Sequence, residues 1–154
     1  AVEHNNRGVI YMQDRYYAPA IKEFQMAVLL DPNTQASSVY YANLANCYMK
    51  IGYPALAQDT LQRAIKLNPM NFGLYQDLAV VYKRLGIGSQ KIKTYKKESE
   101  KNPLAQVMVG MILMEQGKAD EGLAKLQEFA YTEPDLIITK GVQKYIDEHT
   151  KEKF

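Results

Sequence analysis

Residues 41–69 read YANLANCYMKIGYPALAQDTLQRAIKLNP, and two apolar stripes of helical period lie within them. Tyr41, Leu44, Ala45 and Tyr48 stand three, four and seven residues apart, so they share one face of a helix. Gly52, Tyr53 and Pro54 break that helix, and Ala57, Leu61 and Ala64 form the stripe of a second one, which Pro69 ends. A helical hairpin results. Its small residues allow the helices to approach closely, and its aromatic rings fill the wider spaces between them.

The same pattern recurs on both sides of this stretch. Pro32, Pro69, Pro103 and Pro134 each follow a helical run and lie 37, 34 and 31 residues apart, a period near 34. Aligned on these prolines, the unit before Pro32 has Gly8, Tyr11, Ala20, Phe24 and Ala27, and the one before Pro103 has Tyr75, Leu78, Ala79, Tyr82, Gly86 and Tyr95. The unit before Pro134 has Val109, Gly110, Leu113, Gly117, Gly122, Leu126 and Phe129. One hairpin cannot cover its own apolar surface, so consecutive hairpins must stack around a continuous core. Beyond Pro134, Ile138, Val142, Tyr145 and Ile146 keep the helical spacing, with Asp135 as a candidate N-cap. Lys140, Lys144, Asp147, Glu148 and Lys151 surround that stripe, the pattern of a terminal helix that seals the stack, with a frayed tail from Thr150.

This pattern resembles the tetratricopeptide repeat across nearly the whole chain. The resemblance implies an all-α, right-handed α-solenoid: a superhelix of stacked antiparallel hairpins with four units (about 1–34, 38–71, 72–102 and 103–134) and a capping helix at about 135–150, in a single array over 1–154. It also implies a concave side lined by the first helix of each unit. In the register set by the prolines, those helices present Asn5, Val9 and Met12; Asn43, Asn46 and Met49; Gln76, Val80 and Lys83; and Val107, Met111 and Met114. Val2, Val39, Ala42 and Leu104 fall in the same register. Most of these residues are apolar, and a row of exposed apolar groups marks a contact site. Methionine adapts to differently shaped partners, and the amides of Asn43 and Asn46 can give and take hydrogen bonds with a peptide backbone.

The expected function is therefore a scaffold or chaperone-like adaptor whose groove binds an extended or helical segment with apolar anchors. Self-assembly into homo-oligomers is the alternative. Some members of the family hold acidic C-terminal tails with a clamp of basic residues and asparagines. Here the matching positions are Asn5, Val9, Asn43, Gly73 and Asp77; only Asn43 agrees, and Asp77 repels a carboxylate.

The third unit departs from the pattern. Its second helix carries Lys91 and Glu98 where other units have small residues, and only Ile92 and Tyr95 supply an apolar stripe, so looser packing is expected. The short spacing to Pro134 predicts a changed angle between the third and fourth units. Lys83, Arg84, Lys91, Lys93, Lys96, Lys97 and Lys101 make this unit basic, whereas Glu115, Asp120, Glu121, Glu128 and Glu133 make the fourth acidic.

Composition narrows the function classes. With 154 residues, 47% hydrophobic, 23% charged and a net charge of +2, the chain can bury a core and carries no strong field toward nucleic acid. No ordered alternation of basic and stacking residues suggests nucleic-acid binding either. No apolar run approaches the length of a membrane span. The only histidines, His4 and His149, stand at opposite ends of the array, and the single Cys47 sits at a core position. No clustered metal ligands, cofactor motif or catalytic constellation is present, and Gly86-Ile87-Gly88 reads as a turn between helices. The expected protein is thus no enzyme and binds no metal or cofactor. A lone cysteine makes no internal disulfide, which favours the cytoplasm. The chain also opens inside a helical pattern, which points to an excised piece of a longer protein and leaves open a signal or anchor outside it.

Overall fold

The structure is a computed structural model in which residues 1–150 are described. The expected fraying beyond Thr150 concerns residues outside that range. Among the described residues there are helices and no strands, and the chain divides between Asn68 and Pro69 into two compact units.

The N-terminal unit holds α1 (Val2–Gln13), α2 (Tyr17–Leu30), α3 (Ser37–Lys50) and α4 (Pro54–Leu67). Helices α1 and α2 pair as one hairpin, α3 and α4 as a second, and α2 packs on α3. The expected stripes form the core: Ala20, Phe24, Ala27, Leu44, Ala45, Ala57, Leu61 and Ala64 are all buried. Gly8 lies against the Phe24 ring so closely that a Cβ at this position would stand 2.6 Å from Cε1.

The C-terminal unit holds α5 (Phe72–Leu85), α6 (Gly88–Glu98), α7 (Leu104–Glu115), α8 (Ala119–Thr132) and α9 (Ile137–Thr150). Helix α7 is at its centre and packs against α5, α6 and α8, while α9 packs against α8 and α5. Because α7 is apolar around its whole circumference, every residue from Val107 to Leu113 is buried. At the α7–α8 crossing two glycines bring the backbones together: a Cβ on Gly122 would lie 2.9 Å from the Gly110 carbonyl oxygen.

The expected looseness of the third hairpin is present. Within α6 only Gly88 is buried, and the helix spans 11 residues against 14 in α2, α4 and α8. Lys91, in place of a small residue, lays its ammonium 5.4 Å from the Tyr82 ring centroid, a cation–π contact across the helix pair. The Tyr82 and Tyr95 hydroxyls bond at 2.7 Å, so a polar link stands where the other hairpins bury Phe24, Leu61 and Leu126.

Two details carry the repeat into atomic contacts. The Tyr41 hydroxyl donates to the Pro32 carbonyl at 3.1 Å, and the Tyr75 hydroxyl donates to the Pro69 carbonyl at 2.8 Å. The tyrosine that opens a first helix thus ties down the proline before it. The turns after α3, α5 and α7 place Gly52, Gly86 and Gly117 at positive φ, but the equivalent place after α1 is Arg15 at φ 64°. A side chain in the left-handed region costs about 1–2 kcal/mol. Arg15→Gly is therefore expected to stabilise the N-terminal unit by about 0.5–1 kcal/mol after the added freedom of the unfolded chain is subtracted. Urea unfolding followed by circular dichroism measures it, and a lower midpoint would contradict the strain.

Candidate binding faces

In the N-terminal unit the register positions Asn5, Val9, Met12, Asn43, Asn46 and Met49 come from α1 and α3, which touch each other. They differ in how much they offer a ligand. Asn5 is only 9% exposed, and its Oδ1 accepts a 2.9 Å hydrogen bond from Nδ2 of Asn43, so part of each amide is spent within the protein. Val9 and Met12 pack on the cluster of Ala20, Phe24, Leu44 and Cys47 with their remaining surface uncovered. Met49 is half-buried and Asn46 exposed, and Val39, at the head of α3, is 49% exposed. This face is thus a shallow apolar strip with one fixed amide pair and one open amide.

The corresponding face of the C-terminal unit differs. Val107 and Met111 are 0% and 2% exposed, so the expectation that they line an open surface is corrected: both belong to the core. Met114 is half-buried, with its sulfur 2.7 Å from where a Cβ of Gly122 would stand. Helix α7 packs against α5, α6 and α8, and α9 packs on α8 and α5. Gly141 lies against Phe72, and the Tyr145 ring meets the Phe72 ring edge-on at 5.5 Å between centroids. Burial first, and then the Glu115 carboxylate at the end of α7, push the Tyr145 hydroxyl above its ordinary pKa. Gly73 and Gln76 form one wall of a cleft of about 400 Å³ whose other wall is Ile138, Gly141, Lys144, Tyr145 and Glu148. Only Val80 and Lys83 of the six expected residues in this unit are well exposed. Sequence register predicts the direction of each side chain but not what packs against it.

Asp77, on α5, is half-buried, and among the described residues it makes no ion pair. Burial raises its carboxyl pKa above the ordinary value, so the folded protein holds this proton more tightly than the unfolded chain does. Stability from this group is then present below the unfolded pKa and falls as pH rises through the folded value. Asp77→Asn should accordingly raise the urea midpoint at pH 7 and change it little near pH 3; an equal gain at both would rule out the linkage.

The groups with chemical potential are dispersed. His4 Nδ1 lies 2.7 Å from Oε2 of Glu23, to which the Arg7 Nε also donates at 3.3 Å. The bond to His4, then Arg7, hold the Glu23 carboxyl below its ordinary pKa. His149 stacks on Tyr145 with centroids 3.9 Å apart. Burial pushes the Cys47 thiol up to about 11, so it is a thiol and not a thiolate at neutral pH. Among the described residues no group of three or more histidine, cysteine or carboxylate side chains is placed to hold a metal, and no helix is long and apolar enough to cross a membrane.

Comparison with known families and structures agrees with this architecture. Residues 4–34 and 39–71 match the tetratricopeptide repeat family model. A crystal structure of MamA aligns over 98% of this chain and 80% of its own, with 24% identity and a TM-score of 0.58. A second MamA structure aligns over 85% and 72%, with 26% identity and a TM-score of 0.55. YrrB, described as a tetratricopeptide protein with an unusual peptide-binding site, covers 92% of this chain and 73% of its own at 19% identity and a TM-score of 0.53. The second such domain of human RPAP3, solved with an HSP70 peptide, covers 96% and 94% at 16% identity and a TM-score of 0.52. Among curated protein sequences no match was found. The fold class is that of the all-α helical-repeat solenoids.

Proposed function

We propose that this chain, a tetratricopeptide-repeat protein, is a protein-interaction module whose N-terminal unit holds an apolar-anchored segment of another protein on its α1/α3 face, as a scaffold or chaperone-like adaptor. The observation that carries the reading is the strip of half-buried Val9, Met12 and Met49 and exposed Val39 beside the open amide of Asn46. Apolar side chains left on a surface lose free energy to water and recover it against a partner, while the amide fixes the partner's backbone. The peptide carried by the RPAP3 domain and the peptide-binding site of YrrB support a segment of another protein as the ligand.

The reading is of a binding protein rather than a catalyst. The histidines lie on α1 and α9, and the one thiol is buried and protonated. Affinity depends on a few well-packed anchors and not on area alone, so Met49 and Asn46 are the residues to change.

Lysate capture by the natural chain, beside a variant with Asn46→Ala and Met49→Glu, tests the proposal. Both proteins should be equally helical by circular dichroism. A partner held by the first and reduced at least tenfold on the second is the expected result. Equal retention by both sinks it, and recovery of the chain alone replaces it with self-association.

A further inference from the structure

We propose that the outer side of α6 is a second docking surface, on which Lys93, Lys96 and Lys97 hold an extended acidic segment of a partner protein. It uses none of the α1/α3 strip, and the two surfaces belong to different units.

The helix sorts its charges by side. Lys91 and Tyr95 both meet Tyr82 of α5, so they mark the inner side of α6. Glu98, seven residues after Lys91 and three after Tyr95, shares that side. There burial first, and then the Glu98 charge, push the Tyr75 hydroxyl of α5 up to about 12. By the same period Lys93, Lys96 and Lys97 fall on the opposite side, and all three are exposed. In the turn that follows, Glu100 and Lys101 offset each other. Among the described residues the ion pairs lie at Glu23, and none involves these three lysines.

The arrangement works against the free protein. Like charges four apart, as in Lys93 and Lys97, repel along a helix, and α6 has little packing to offset that, since within it only Gly88 is buried. The carbonyl end of the helix attracts Lys96 and Lys97 in the last turn but not Lys93, which stands before it. A fourth ammonium comes from α8: Lys125 shares with Lys96 a crevice of about 100 Å³, together with the Ser99 hydroxyl, the Gln106 amide and Glu128. Glu128 pairs with neither lysine, so the crevice keeps an excess of positive charge.

Shape selects among anions. Helix α6 has 11 residues, about 16 Å of length. Side chains one turn apart on it stand roughly 5–6 Å from each other, close to the spacing of about 6.6 Å between alternate residues of an extended chain. Alternate carboxylates of one strand therefore meet successive lysines. A wider polyanion fits less well, because duplex DNA or an anionic membrane laid across the helix meets Glu128 at the crevice and Glu121 farther along α8, both exposed. The aromatic ring of α6, Tyr95, is bonded inward to Tyr82 and gives bases no stacking platform.

The test uses the full chain and a fluorescein-labelled octapeptide of alternating glutamate and serine, read by anisotropy at low salt, where exposed charges are least screened. The natural chain should bind it, and a variant with Lys93→Gln, Lys96→Gln and Lys97→Gln should bind at least tenfold more weakly. A second variant with Lys22→Gln, Lys50→Gln and Lys66→Gln makes the same change of charge at exposed lysines of the N-terminal unit and should lose less than threefold. Equal losses in the two variants reduce the effect to net charge and overturn the proposal, as does a natural chain that fails to bind. Tighter binding of duplex DNA or of phosphatidylserine vesicles than of the peptide gives the stripe a different partner, and a dimer in sedimentation that the α6 variant dissolves gives it a second copy; either result overturns the proposal. Partner capture through Asn46 and Met49 concerns the other unit, so its survival beside a failed peptide experiment removes this inference alone.

Discussion

Replacing Phe24 by alanine is expected to cost the N-terminal unit about 3–5 kcal/mol, the range for emptying an aromatic site in a closed core. Phe24 is fully buried among Ala20, Leu44 and Cys47, with Val9, Met12, Tyr17, Ile21 and Tyr48 packed around the same cluster. Its ring also rests on the bare backbone of Gly8, with Cε1, Cδ1 and Cζ all within 3 Å of where a Cβ would be. The ring and the glycine are therefore one device: the ring fills the volume that the missing side chain leaves. Gly8→Ala alone should destabilise, although alanine is the better helix former by about 1 kcal/mol, because the ring has no free direction in which to move. In a Phe24→Leu background the same alanine should cost less. A double-mutant cycle in urea, followed by circular dichroism, should give a coupling of about 1 kcal/mol or more, and simple additivity would show that the two do not act together.

The sequence carried most of this architecture because the repeat states each residue's environment several times. Ala20, Ala57 and Gly122 occupy equivalent places and are all buried. The place is recognisable because the one unit that breaks the rule, with Lys91, also has the least buried helix. The hairpin limits followed from the prolines and from Gly52, Gly86 and Gly117, since left-handed turns and missing amide protons act locally. The candidate faces were only half legible. Periodicity reports which way a side chain points from its own helix, and of the expected α3 residues Asn46 is exposed while Asn43 and Met49 are half-buried. It does not report what lies opposite. Val107 and Met111 are covered, because α7 lies among α5, α6 and α8 at the centre of its unit. A signal for that burial did exist: α7 is apolar on every side, and a helix without a polar face has no side left for water. The Asn5–Asn43 bond, made between residues 38 apart, had no local signature.

Gly122→Val should produce the largest loss in the C-terminal unit, about 3 kcal/mol, because the obstacle is main chain. Overpacking usually costs about 1–3 kcal/mol, and the lower figures apply where a flexible side chain can move away. At Gly122 one neighbour, the Met114 sulfur at 2.7 Å, is flexible; the other, the Gly110 carbonyl oxygen at 2.9 Å, belongs to α7 and moves only with that helix. Gly110 faces the reciprocal constraint from Leu126 at 2.7 Å. Shifting α7 away from α8 disturbs a helix buried from Val107 to Leu113, so strain at one crossing spreads through the unit. Gly73 offers the contrast within the same unit: a Cβ there meets only the Asn71 Oδ1 at 3.3 Å, and the backbone bond from its N–H to that oxygen would remain. Gly73→Ala should therefore be neutral or stabilising by up to about 0.5 kcal/mol, while Gly122→Ala should still destabilise despite alanine's advantage in a helix. Urea midpoints of the three variants decide the matter. If Gly122→Ala matched Gly73→Ala, the close α7–α8 contact would not constrain the fold.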